Sequence, residues 1–121
     1  MNNPSLPEDD LPPSELKLVD RILQQQLEKS IGNHFYQTCD RTIQALLSKC
    51  QWYVTTNAST AIVTIECPHA SLNWQVLKNL TKLASYLENF PRAKIRVCPP
   101  PGTGTPFEMR VDEISVYRDS L

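Results

Sequence analysis

The chemical capacity of this 121-residue chain rests on four cysteines, Cys39, Cys50, Cys67 and Cys98, and two histidines, His34 and His69. A structural zinc site draws its ligands in close pairs, and the pattern C-x10-C-x16-C-x-H supplies none. No C-x-x-C pair is present to form a redox motif. A nucleophilic cysteine needs an imidazole within hydrogen-bond reach and a third group to orient it. Cys67-Pro68-His69 sets thiol and imidazole two positions apart across a proline, and nothing nearby marks a third partner. Cys39, Cys50 and Cys67 fall at apolar positions of their segments and read as small core residues. Cys98 shares parity with Lys94 and Arg96, a basic setting that favours thiol reactivity. Asp112 and Glu113 are adjacent, so on a regular strand they point to opposite faces and share no substrate. The expectation is therefore no catalytic, metal or cofactor residue, with a small Cys/His enzyme kept as an alternative.

Pro99 to Pro106 read PPPGTGTP, which resembles the GPPGTGKT phosphate loop of the AAA+ family. Such a loop wraps phosphate with backbone N–H groups, reaches it with a lysine, ligates magnesium through a hydroxyl and leads into a helix N-terminus. Thr105 stands in the lysine position and Pro106 in the hydroxyl position, and three prolines supply no N–H donors. PFEMRV then alternates as a strand rather than opening a helix. A stiff connection between two strands is expected here, and no bound nucleotide.

The net charge is −1, so the overall field gives no help in holding a polyanion. Free thiols and the lack of a basic, apolar leader indicate a reducing compartment, the cytoplasm. No apolar run approaches the roughly 18 residues of a membrane span. Residues 1–13 carry four prolines and three acidic residues and are expected to be a loose tail. Residues 14–121 are expected to form one domain.

Ser14, followed by Glu15, predicts a helix start. Leu16, Val19, Leu23 and Leu27 recur at spacings of three and four, and Leu18 and Ile22 broaden that stripe beyond one packing face. Gly32-Asn33 either ends this helix or is tolerated inside it. A second helix is predicted over about 33–50, with Phe35, Cys39, Ile43, Leu46, Leu47 and Cys50 on its apolar arc. QWYVTT and AIVTIEC then alternate as a hairpin, and the absence of glycine in Asn57-Ala58-Ser59-Thr60 predicts a loop of three to five residues. A third helix is predicted from a Ser71 cap to about Phe90, where Pro91 stops it, burying Leu72, Val76, Leu80, Leu83 and Leu87. AKIRVC forms a strand with Ile95 and Val97 inward. The last strand starts in phase at Phe107, Met109 and Val111, then changes parity to Ile114 and Val116, for which a bulge or a break at Asp112-Glu113 is predicted.

The expected fold is α+β: two N-terminal helices, a β-hairpin, a third helix and two further strands, with helices on one face of a mostly antiparallel sheet. The stretch from the second helix to AKIRVC resembles KH-like domains in its α-β-β-α-β order, though without their GxxG loop. Two surface features stand out. Between Cys67 and Arg110 six basic residues face two acidic ones, a local charge of +4; Trp74, Lys78, Lys82, Arg92, Lys94 and Arg96 are the candidate face for phosphates and a stacked base. The other feature is the broad stripe of Leu16, Leu18, Val19, Ile22 and Leu23, expected to meet another chain. The expected function is a non-enzymatic interaction module, an adaptor or regulator that self-associates through the first helix; the alternative is a nucleic-acid-associated KH-like module.

Overall fold

The computed structural model describes residues 13–58, 60–90 and 92–114. Residues 1–12 of the expected tail lie outside them, as do Pro91 and Val116. Eight elements follow in order: α1 (Pro13–Thr38), α2 (Arg41–Ser48), β1 (Gln51–Asn57), β2 (Thr60–Glu66), α3 (Ala70–Lys78), α4 (Leu80–Ser85), β3 (Lys94–Cys98) and β4 (Phe107–Arg110). The strands form one four-stranded sheet in the order β1-β2-β3-β4. β1 and β4 run antiparallel to their neighbours, whereas β2 and β3 are parallel, which requires the crossover that α3 and α4 supply. The architecture is α+β with a mixed sheet.

One face of the sheet builds the core. Val54, Val63 and Ile95 lie in one row across three strands, with Ile65 and Val97 in the next. All five are buried, together with Ile43 and Leu47 of α2, Leu72 and Val76 of α3, and Leu83 of α4. Each helix contributes the apolar stripe that its spacing dictates. The opposite face carries Tyr53, Thr64, Glu66, Lys94, Arg96 and Glu108. There Tyr53 Oη donates to Glu66 at 3.0 Å, and Glu108 pairs with Lys94 at 3.6 Å and Arg96 at 3.9 Å.

Several boundaries depart from the sequence expectation, each for a local reason. Of the two readings of Gly32-Asn33, the structure takes the one in which the helix tolerates them: α1 is a single helix of 26 residues, so the second helix begins at Arg41 and not near residue 33. The ~1 kcal/mol cost of an internal glycine is offset by anchors on either side, since Ile31 and Phe35 pack onto the core. The break falls instead at Asp40, whose extended backbone and Oδ1, accepting from Ile43 N–H at 2.9 Å, start α2 afresh. At the other end Pro13, not Ser14, opens α1, a position where its missing N–H costs nothing. The predicted third helix is split at Asn79, and its N-cap is His69 without a side-chain bond rather than Ser71.

The hairpin is tighter than expected. Asn57 pairs with Thr60, leaving a two-residue loop in which Ala58 takes φ +57°, the left-handed region that glycine usually fills. Of the two expected causes of the parity change near Asp112, the structure shows a break of the strand rather than a bulge. β4 ends at Arg110 and the chain is helical over residues 111–114, so Val111 and Ile114 are buried at helical spacing, three apart. Both carboxylates then turn toward one cation, with Arg110 Nε 3.1 Å from Asp112 and 3.4 Å from Glu113.

Candidate functional site

The N-terminal half of α1 is the most unusual surface of the molecule. Leu18, Val19, Ile22, Leu23 and Leu27 are each 43% to 57% exposed, and Leu16 is half-buried. Sequence periodicity divides these residues into a stripe that packs and a flank that does not, but neither stripe is covered. A 26-residue helix is about 39 Å long, and its bonds to the sheet begin at Gln24.

The fastening is specific. Trp52 of β1 stacks on Tyr36 with ring centroids 5.8 Å apart and an interplanar angle of 11°, and meets Phe35 edge-on at 5.8 Å and 72°. Further along β1, Glu28 Oε2 accepts from Thr56 N–H at 2.6 Å and from its hydroxyl at 3.0 Å, while Gln24 Nε2 donates to Thr56 O at 3.0 Å. Two side chains of α1 thus occupy the outward backbone groups of an edge strand, as a further strand would, and deter strand addition there. This bracket holds α1 at a fixed angle and leaves the preceding turns to solvent. A groove of about 410 Å³, lined by Leu27, Ile31, Ala58, Ala61, Phe90 and Ala93 among others, continues the ridge toward the sheet.

Four charged residues are spread along the exposed part of α1, with Glu15 and Asp20 balancing Lys17 and Arg21. Two copies of this helix therefore carry no net repulsion.

The six candidates for an anion-binding face are not gathered on one surface. Trp74, 63% exposed, and Lys78 lie on the outer side of the helical layer with Lys82. Lys94 and Arg96 alternate with the buried Ile95 and Val97, so they lie on the far side of the sheet. Both are paired with Glu108, and Lys82 Nζ is 2.5 Å from Asp40. That pair raises the Lys82 ammonium above its usual value, chiefly by hydrogen bonding, and lowers Asp40, which Ile43 N–H also holds. Arg92 is exposed in the turn before β3.

Cys39 and Cys67 are buried. Burial pushes both thiols up to about 12, and Cys39 Sγ donates to Phe35 O at 3.2 Å. Cys50, expected in the core, is half-buried and packs against the core. His34 and His69 are exposed, in α1 and at the start of α3. Pro99–Pro106 connect antiparallel β3 and β4 and lead into a strand, as the alternation predicts. Gly102 and Gly104 supply positive φ of 80° and 156°. Among the described residues no group of three or more histidines, cysteines and acids is placed to hold a metal ion, and no helix is long and apolar enough to cross a membrane.

The Glu28–Thr56 bracket has no signature in the sequence: it joins a helix to a strand 28 residues away. No family model, curated protein or solved structure matches the chain.

Proposed function

We propose that this protein is a cytosolic, non-enzymatic interaction module, an adaptor or regulator that self-associates through the N-terminal half of α1. One observation carries this reading: five large apolar side chains, all between 43% and 57% exposed, lie on a helix whose other half is anchored. Scattered apolar side chains on a surface need no explanation, whereas a contiguous ridge this long marks a contact surface. Its neutral charge balance and its continuity with the groove beyond Leu27 suit a second copy of the same helix. A closed two-fold pair is the simplest arrangement, since each ridge then covers the other.

The test is the oligomeric state as a function of concentration, measured by sedimentation or light scattering. A reversible dimer that Leu18→Glu with Ile22→Glu dissolves supports the reading; a strict monomer that captures no partner removes it.

A further inference from the structure

Beyond self-association, we propose that Cys50 and Cys67 form a thiol–disulfide exchange site that reacts with low-molecular-weight disulfides, Cys50 as the attacking thiol and Cys67 as the resolving one. The β1–β2 register pairs Gln51 with Glu66, so the next rung places Cys50 opposite Cys67. Cys50 N–H bonds to Leu47 O at 3.0 Å and Cys67 N–H to Cys98 O at 2.9 Å, each to a partner outside the pair. That is the pattern of a non-hydrogen-bonded rung, where Cα atoms approach to about 4.5 Å, within the range a disulfide spans. Both residues also share the parity of Trp52, Val54, Val63 and Ile65, so their side chains lie on the same face of the ladder.

The two roles follow from the surroundings. A cleft of about 720 Å³, lined among others by Lys49, Cys50, Glu66, Cys67, Cys98 and Pro99, opens beside the pair. Cys50 is half-buried at this cleft and Cys67 fully buried, so an external disulfide meets Cys50 first. The neighbouring thiols act on each other in opposite directions, favouring the thiolate of Cys50 and the protonated form of Cys67. Burial still dominates and holds both above the ordinary thiol value of 9.0, so exchange quickens as pH rises through the alkaline range. Lys49 places a cation at the cleft for a substrate that carries carboxylates, such as glutathione disulfide.

The chemistry balances without another reactant. The Cys50 thiolate attacks one sulfur of the external disulfide, forming a mixed disulfide and releasing one thiolate. Cys67 loses its proton and attacks Cys50 Sγ, closing the protein disulfide and releasing the second thiol. One external disulfide is reduced and two protein thiols are oxidised.

The native, reduced chain is incubated with excess glutathione disulfide at neutral and alkaline pH, then alkylated and analysed by intact mass and peptide mapping. A Cys50–Cys67 linked peptide is expected, forming faster at alkaline pH. Cys67→Ser should stop at one glutathione adduct on Cys50, Cys50→Ser should lose both adduct and link, and Cys98→Ser should behave as the parent chain. The variants at Cys50 and Cys98 alter half-buried positions, so the result does not hang on the buried Cys67 variant folding. A link through Cys98, an adduct confined to Cys98, or no reaction of the folded parent chain at alkaline pH overturns the proposal.

Discussion

Replacing Leu18 and Ile22 together by glutamate is the sharpest probe of the apolar ridge. Full burial of an aliphatic side chain is worth about 1.5–3 kcal/mol, so side chains near half exposure each have roughly 1 kcal/mol left to gain. Leu18, Val19, Ile22, Leu23 and Leu27, covered in both copies of a two-fold pair, then supply about 10 kcal/mol in total. Association itself costs about 4–15 kcal/mol, so the dimer is expected to be weak, with a Kd near or above the micromolar range. The double substitution removes four of the ten side chains, about 4 kcal/mol, which is on the order of a thousand-fold in Kd before any cost of burying carboxylates. Because both positions lie in the exposed half of α1, away from Trp52 and the Glu28 bracket, the thermal midpoint at low concentration should hardly move. Sedimentation velocity over a range of about 1–500 µM reads the association, and circular dichroism reads the fold. A parent chain that stays monomeric throughout, or a variant that dimerises as well as the parent, refutes the reasoning.

Further outcomes are expected from the same structure. Ala58→Gly should stabilise the chain by about 1 kcal/mol, raising the thermal midpoint by about 4 °C, because alanine is held at φ +57°; a drop in the urea midpoint would contradict this. Trp52→Ala should cost about 3–5 kcal/mol by stripping the stacking that fastens α1, whereas Trp74→Ala, at an exposed site, should stay within about 0.5 kcal/mol. The Asp40 carboxyl is held below its unfolded value of 3.8 by Lys82 and Ile43 N–H, so its contribution is present above that value and is lost as pH falls through the lower, folded one. Urea titrations from neutral pH to about pH 2 should therefore show a shallower acid limb in Asp40→Ala than in the parent chain. Single-stranded oligonucleotides should bind more weakly than about 10⁻⁴ M at physiological salt, because the basic residues are divided between two sides of the sheet; tight, salt-sensitive anisotropy changes would restore the nucleic-acid alternative.

Periodicity determined which segments are helices and which are strands, and which residues form the core: Ile43 and Leu47, Val63 and Ile65, Leu72 and Val76, Ile95 and Val97 all sit inward at the spacing of their elements. That information is local, since one side of a helix or strand must be apolar whatever it packs on. Three features were decided by contacts between segments distant in the chain. α1 continues through Gly32 and stands out from the sheet because Trp52 and Thr56 of β1 grip it only from Gln24 onward, which no spacing within residues 13–38 encodes. The basic residues fell on two surfaces because strand parity and helix packing separate Lys94 and Arg96 from Lys78. Cys50 came to face Cys67 through the hairpin register, itself set by a two-residue turn that composition alone did not specify.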